Sequence, residues 1–209
     1  YGTSYDARTF FLEQFYPLFF DQNKYMMTAG NSPLENPKLS WDDMIKGKKL
    51  FETPEQRKIR FEKLIKKIEE SEADASIARG YASLDVAATT SGQVTDLKLP
   101  NSQEEIYASW IGDALGIGVQ GGFSILFSNK EILLDIFEGW KLYRTSLNET
   151  TMLKGNQINT WNGQWLSHYY DTREYDADMP LAGYNPYNVN KDGIISIDTQ
   201  TWTKILIGI

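Results

Sequence analysis

The chain has 209 residues, sets 21 basic against 28 acidic residues for a net charge of −7, and contains one histidine and no cysteine. That excludes a disulfide scaffold, a cysteine nucleophile, a Cys-bearing zinc site and any multi-histidine metal site. Six Trp, twelve Tyr and ten Phe supply too much apolar surface for low-complexity disorder.

No apolar run approaches the ~18 residues of a transmembrane helix, so no membrane partner is expected. The chain starts at Tyr1 without an initiator Met or a signal-peptide pattern, as a processed or trimmed start would. Lack of cysteine fits a cytoplasmic address, while the sequon Asn148-Glu149-Thr150 leaves an extracellular one open.

In chain order, Asp6 caps a Phe-rich helix expected to end near Pro17, whose missing N–H breaks the hydrogen-bond ladder. Residues 28–40 read as a loop, and Ser40 caps a short helix through Asp42 and Ile45. Thr53-Pro54-Glu55-Gln56 combines an N-cap, a first-turn proline and a capping-box partner. The helix it starts is predicted to run from Pro54 to about Arg79, burying Ile59, Leu64, Ile65 and Ile68, with Gly80 closing it. Residues 41–80 hold ten basic and nine acidic residues, a mixture that reads as a solvated helix face laced with i,i+4 pairs.

Past Gly80 the segments 81–88 and 93–99 read as strands split by a turn at Thr89-Thr90-Ser91-Gly92. Asn101-Ser102 caps a helix from Gln103 to about Leu115, with Ile106, Trp110, Ile111, Ala114 and Leu115 as its apolar face. A Gly-rich strand at 116–128 ends in Phe123-Ser124-Ile125-Leu126-Phe127, and a helix from Asn129 to about Leu147 follows. The region 148–209 is aromatic and turn-rich and resists local division. The expected fold is α/β or α+β, a small mixed sheet flanked by helices in a single domain over 1–209.

Residues 54–128 therefore read helix, strand, strand, helix, strand. Asp85 sits in the first strand; Asp96 and Lys98 sit in the second and, two apart, share one face. Side-by-side carboxylates can hold a hard divalent cation, and a neighbouring lysine can stabilise charge developing on a phosphate. Lys98 is also the sole cation between Arg79 and Lys130. Its plainer reading is a strand-end lysine in a surface ion pair, which contributes little.

Asp85, ten residues, then Asp96-Leu97-Lys98, followed by helix and strand, resembles the PD-(D/E)xK nuclease superfamily of restriction-endonuclease-like enzymes. Leu84 stands where the name-giving proline would be, and Glu69, Glu70 and Glu72 are the acids nearest before the hairpin. The resemblance implies magnesium-dependent hydrolysis of DNA phosphodiesters. Asp85 and Asp96 would be the Mg2+ ligands, with Lys98 beside the attacking water.

Other patterns open other readings. Asn188, Asn190 and Asp192, with Gly193 and Ile195, match the first part of an EF-hand loop, which implies Ca2+. The twelfth position is Thr199, however, and a turn between two strands explains the same residues. Trp161, Trp165, His168 and Tyr169 would line one helix face, either as core or as a stacking surface for sugars or unpaired bases. A general base at His168 would need an orienter such as Asp171. Gly116 to Gly122 lacks the Lys-Ser/Thr ending of a phosphate loop and reads instead as glycines for a bulge or close backbone contact. The alternatives to a nuclease are a non-catalytic assembly subunit meeting a protein partner or a second copy of itself, and an extracellular carbohydrate- or calcium-binding module.

Overall fold

A computed structural model describes residues 4–28, 34, 40–84, 94–96 and 102–209. Among these the fold is mixed α/β, with helices dominating and strands confined to two antiparallel pairs. Among the described residues the strands form two separate two-stranded sheets rather than the single mixed sheet expected, and residues 85–88, 93 and 97–99 of the segments expected to supply it lie outside the described residues. Each pair is only three residues deep, and Leu153 adds one parallel bridge at Ile195. By contact density the chain forms two compact units, one of Tyr1–Tyr25, Ala29–Ser40 and Leu50–Asp113, the other of Met26–Thr28, Trp41–Lys49 and Ala114–Ile209.

In the first unit Asp6 caps α1 (Ala7–Phe10) by accepting from the Thr9 N–H at 2.6 Å. The helix does not end at Pro17 but continues through a π-turn (Phe11–Phe15) into α2 (Tyr16–Phe19). The Tyr16 N–H reaches back five residues to Phe11 O, and that wider turn is where the ladder accommodates the proline. The rod buries Phe11, Phe15 and Phe19 on one side, with Phe15 stacked on Phe19 at 4.0 Å.

Thr53 and Gln56 form the predicted capping box of α4 (Pro54–Glu70), which follows the short α3 (Trp41–Ile45) of the second unit. The buried side of α4 carries Arg57, Leu64 and Ile68, and half-buried Phe61 stacks on Tyr16 at 3.7 Å. Ile59 is exposed, contrary to expectation. The helix stops nine residues before Arg79 because Asp74 offers the backbone a competing turn, accepting from the Ser76 N–H with its side chain and from Ile77 and Ala78 with its carbonyl. Exposed pairs Lys58–Glu62 and Lys66–Glu70 bear out the mixed-charge helix face.

Between α4 and α5 (Gln103–Ala114) the described pieces of the expected hairpin, 81–84 and 94–96, are not ladder strands. The Thr95 N–H joins them by donating to Ser83 O at 2.9 Å, while Ala82 O accepts from the Ala75 N–H. In α5, Tyr107 and Trp110 pack with Phe11, and the Trp110 indole donates to Ile77 O.

The second unit is built around α6 (Lys130–Glu149) and α7 (Ile158–Tyr169). Asn129 caps α6 through the Glu131 and Ile132 N–H groups. Helix α7 lies against α6, against β1 (Ile117–Val119) and against α8 (Trp202–Gly208). Glycines allow the close approach: a Cβ on Gly139 would lie 2.3 Å from Trp165 Cδ1, and one on Gly163 3.3 Å from Gly118 O. Strand β1 pairs with β2 (Phe123–Ile125) across a turn in which Gly121 and Gly122 take positive φ. The expected close backbone contact is found at Gly118, where a Cβ would lie 3.3 Å from the Asn159 backbone, whereas the single strand expected over 116–128 is two strands split by this turn.

Candidate functional site

The aromatic stripe of α7 is core. Trp161 and Trp165 are buried, and their indole N–H groups donate to Gly139 O and Asp135 O of α6. No face of this pair is left for a base or a sugar. Asn162, fully buried between them, accepts from the Trp140 indole at 3.0 Å and donates to Ala114 O and Gly116 O at 2.8 Å each.

Two further polar side chains of α7, Gln164 and His168, are buried yet line a cleft of about 710 Å³. Its other walls come from the 182–186 loop, the 198–200 segment, Glu174 and Lys204 of α8. Gln164 ties two of these walls, the 182–186 loop and the 198–200 segment, to α7. Its Oε1 accepts from the Gln200 amide at 2.8 Å and the Tyr184 hydroxyl at 3.3 Å, and its amide donates to Asp198 O at 2.6 Å. The His168 ring stacks on Tyr184 at 4.2 Å and 11°. Its Nε2 lies 2.9 Å from Pro180 O, a carbonyl that can only accept, so Nε2 carries a proton. Burial pushes the Tyr184 phenol well above its ordinary pKa, with Tyr187 adding to the shift, so it stays a neutral hydrogen-bond donor.

Asp171 does not orient His168. Its carboxylate takes the Arg173 guanidinium on both oxygens at 3.1 Å, and these bonds hold it below the usual carboxylate range. A His–Asp general base is therefore not assembled here.

The loop carrying Asn188, Asn190 and Asp192 is the turn of a hairpin between β3 (Tyr187–Val189) and β4 (Ile195–Ile197). The Asn190 side-chain oxygen accepts from the N–H groups of Asp192 and Ile194 at 2.9 Å each, and Gly193 takes φ +77°. The turn is thereby closed by its own backbone. Asp192 lies 3.9 Å from the Lys46 ammonium, and Asp198 accepts from the Asn188 amide.

Of the nuclease residues, Asp85 and Lys98 lie outside the described residues, and Asp96 is exposed. Among the described residues no three His, Asp or Glu side chains are grouped so as to hold a metal ion. Asp96 by itself supplies too few oxygens for magnesium.

The remaining feature is apolar. Helix α8 buries Ile205 against the unit but turns Trp202 (55% exposed), Leu206 (47%) and Ile207 (85%) to water. Gln120 at the β1–β2 turn clamps the entry to α8, donating its backbone N–H to Gln200 O at 2.9 Å and its amide to Thr199 O at 3.0 Å. In β2 and just after it, Phe123 (72%) and Leu126 (70%) are also exposed. The strand-like apolar run at 123–127 signals core by composition, whereas here it is surface.

Neither the cleft nor this face was singled out from the sequence. The available signal was polar residues at 164 and 168 within an otherwise aromatic helix, together with an apolar C-terminal segment relieved only by Lys204.

The class of protein defined by these features is a mixed α/β chain with an exposed apolar helix face and a polar cleft. No family model, curated protein or solved structure matches it. Among the described residues no helix is long and apolar enough to cross a membrane.

Proposed function

We propose that this chain is a non-catalytic assembly subunit that meets a second copy of itself through α8 and the β1–β2 hairpin. The observation that carries this reading is the orientation of α8, with bulky apolar side chains on its solvent side. A short helix gains most of its stability from burying its apolar side chains, so leaving three of them in water is unfavourable unless a partner covers them. A second copy suits this surface better than a charged partner. Lys204 is the single charged residue from Thr199 to Ile209, so the net charge of −7 is not focused where two copies would meet. A patch facing itself across a two-fold axis also closes without leaving an open edge.

The test is mass in solution by light scattering. The wild-type chain is expected to be dimeric or larger, and Leu206→Lys combined with Ile207→Lys is expected to be monomeric with unchanged helix content. A wild-type chain that stays monomeric at every concentration overturns the reading.

A second reading, metal-dependent phosphodiester hydrolysis, is favoured by the Thr95–Ser83 hydrogen bond, which joins the segment holding Asp96 to the one leading into residue 85. On that reading the chain nicks supercoiled plasmid in magnesium and Asp96→Ala loses the activity. Absence of magnesium-dependent nicking by the wild type removes it.

A further inference from the structure

We infer that the cleft of the second unit binds a neutral, hydroxyl-rich ligand, a sugar or free polyol. This inference does not rest on the assembly proposed above: it uses the polar cleft rather than the exposed apolar side chains of α8, although Lys204 of that helix borders the cleft.

The cleft is held in place before any ligand arrives. Gln164 is buried, and its amide fixes Tyr184, Asp198 and Gln200 relative to α7. The His168–Pro180 bond holds the loop that leads to Tyr184. Walls locked this way do not have to be ordered on binding, which lowers its entropic cost.

The groups left over determine what fits. Among the described residues, the Glu174 carboxylate and the Lys204 ammonium have no ion-pair partner, and Asp198 uses one oxygen on the Asn188 amide. Glu174 and Asp198 disfavour a phosphate or carboxylate ligand, and Lys204 disfavours a polyamine. A hydroxyl group, which both donates and accepts, can satisfy all of them without opposing either charge. The volume of about 710 Å³ is ample for one or two sugar rings.

The test is saturation-transfer difference NMR on the whole chain. The probes are glucose, maltose and myo-inositol, with inorganic phosphate and spermidine as charged comparisons. Transfer to at least one neutral probe is expected, and which of the three responds separates a monosaccharide, an oligosaccharide and a cyclic polyol as the source. Glu174→Gln and Asp198→Asn each replace a charged acceptor by a weaker neutral one and should weaken binding about tenfold. Both positions are exposed, so circular dichroism of the variants should match the wild type. The inference is overturned if no neutral probe responds, if phosphate or spermidine binds in their place, or if binding is unchanged in both variants.

Discussion

Replacing Gly139 by alanine is expected to destabilise the second unit by about 3 kcal/mol, at the upper end of what overpacking costs. The added methyl would sit 2.3 Å from Cδ1 and 2.7 Å from Cγ and Nε1 of Trp165. The ring cannot easily move aside, because its indole N–H is bonded to Asp135 O at 2.8 Å and its face packs on Tyr169 at 5.3 Å. Relief requires α6 and α7 to separate, and that would also stretch the Trp161 bond to the Gly139 carbonyl at 2.7 Å. Urea denaturation followed by tryptophan fluorescence measures the loss. An unchanged midpoint would mean that the two helices do not approach as closely as described.

The second large effect is expected at Asn162. Asn162→Leu removes the side chain that accepts from the Trp140 indole N–H and donates to the buried Ala114 carbonyl, whereas Gly116 O keeps the Asn159 amide at 2.8 Å. Each lost partner of a buried polar group costs about 1–3 kcal/mol, so a total near 2–6 kcal/mol is expected. The same logic makes Trp140→Phe partly compensatory. In the double variant the indole donor is gone, and the combined loss should fall short of the sum of the two single losses. Strict additivity in a double-mutant cycle would contradict the bond between these side chains.

What could be read from the sequence was local. The Asp6 cap, the Thr53–Gln56 capping box and the Ser102 cap each act over three residues, so their signals are contiguous. The end of α4 was missed because Asp74 competes with a helix that periodicity alone would extend. Ile59 was misplaced because the neighbours that set the buried face, Tyr16 against Phe61 and Asp21 against Arg57, are far away in sequence. The region 148–209 resisted division for the same reason. Leu153 bridges to Ile195, Gln157 bonds both backbone groups of Ile197, and the Met27 backbone bonds Gly155 and Ile158. None of these contacts leaves a mark in local composition. Of the candidate sites, the loop at Asn188–Asp192 was legible as a turn and the stripe at Trp161–Tyr169 as core. The cleft was not, because it gathers Gln164, Glu174, Tyr184, Asp198 and Lys204 from five separate segments.

The proposal that two copies meet through α8 is tested most directly by acrylamide quenching of Trp202 as the chain is diluted. Trp110, Trp140, Trp161 and Trp165 are buried at every concentration, so the difference between the wild type and Trp202→Phe isolates the signal from α8. Trp202 is expected to be shielded in concentrated solution and to become quenchable on dilution, in step with the fall in mass. Equal quenching throughout, in a chain whose mass does not change, would contradict assembly through this face.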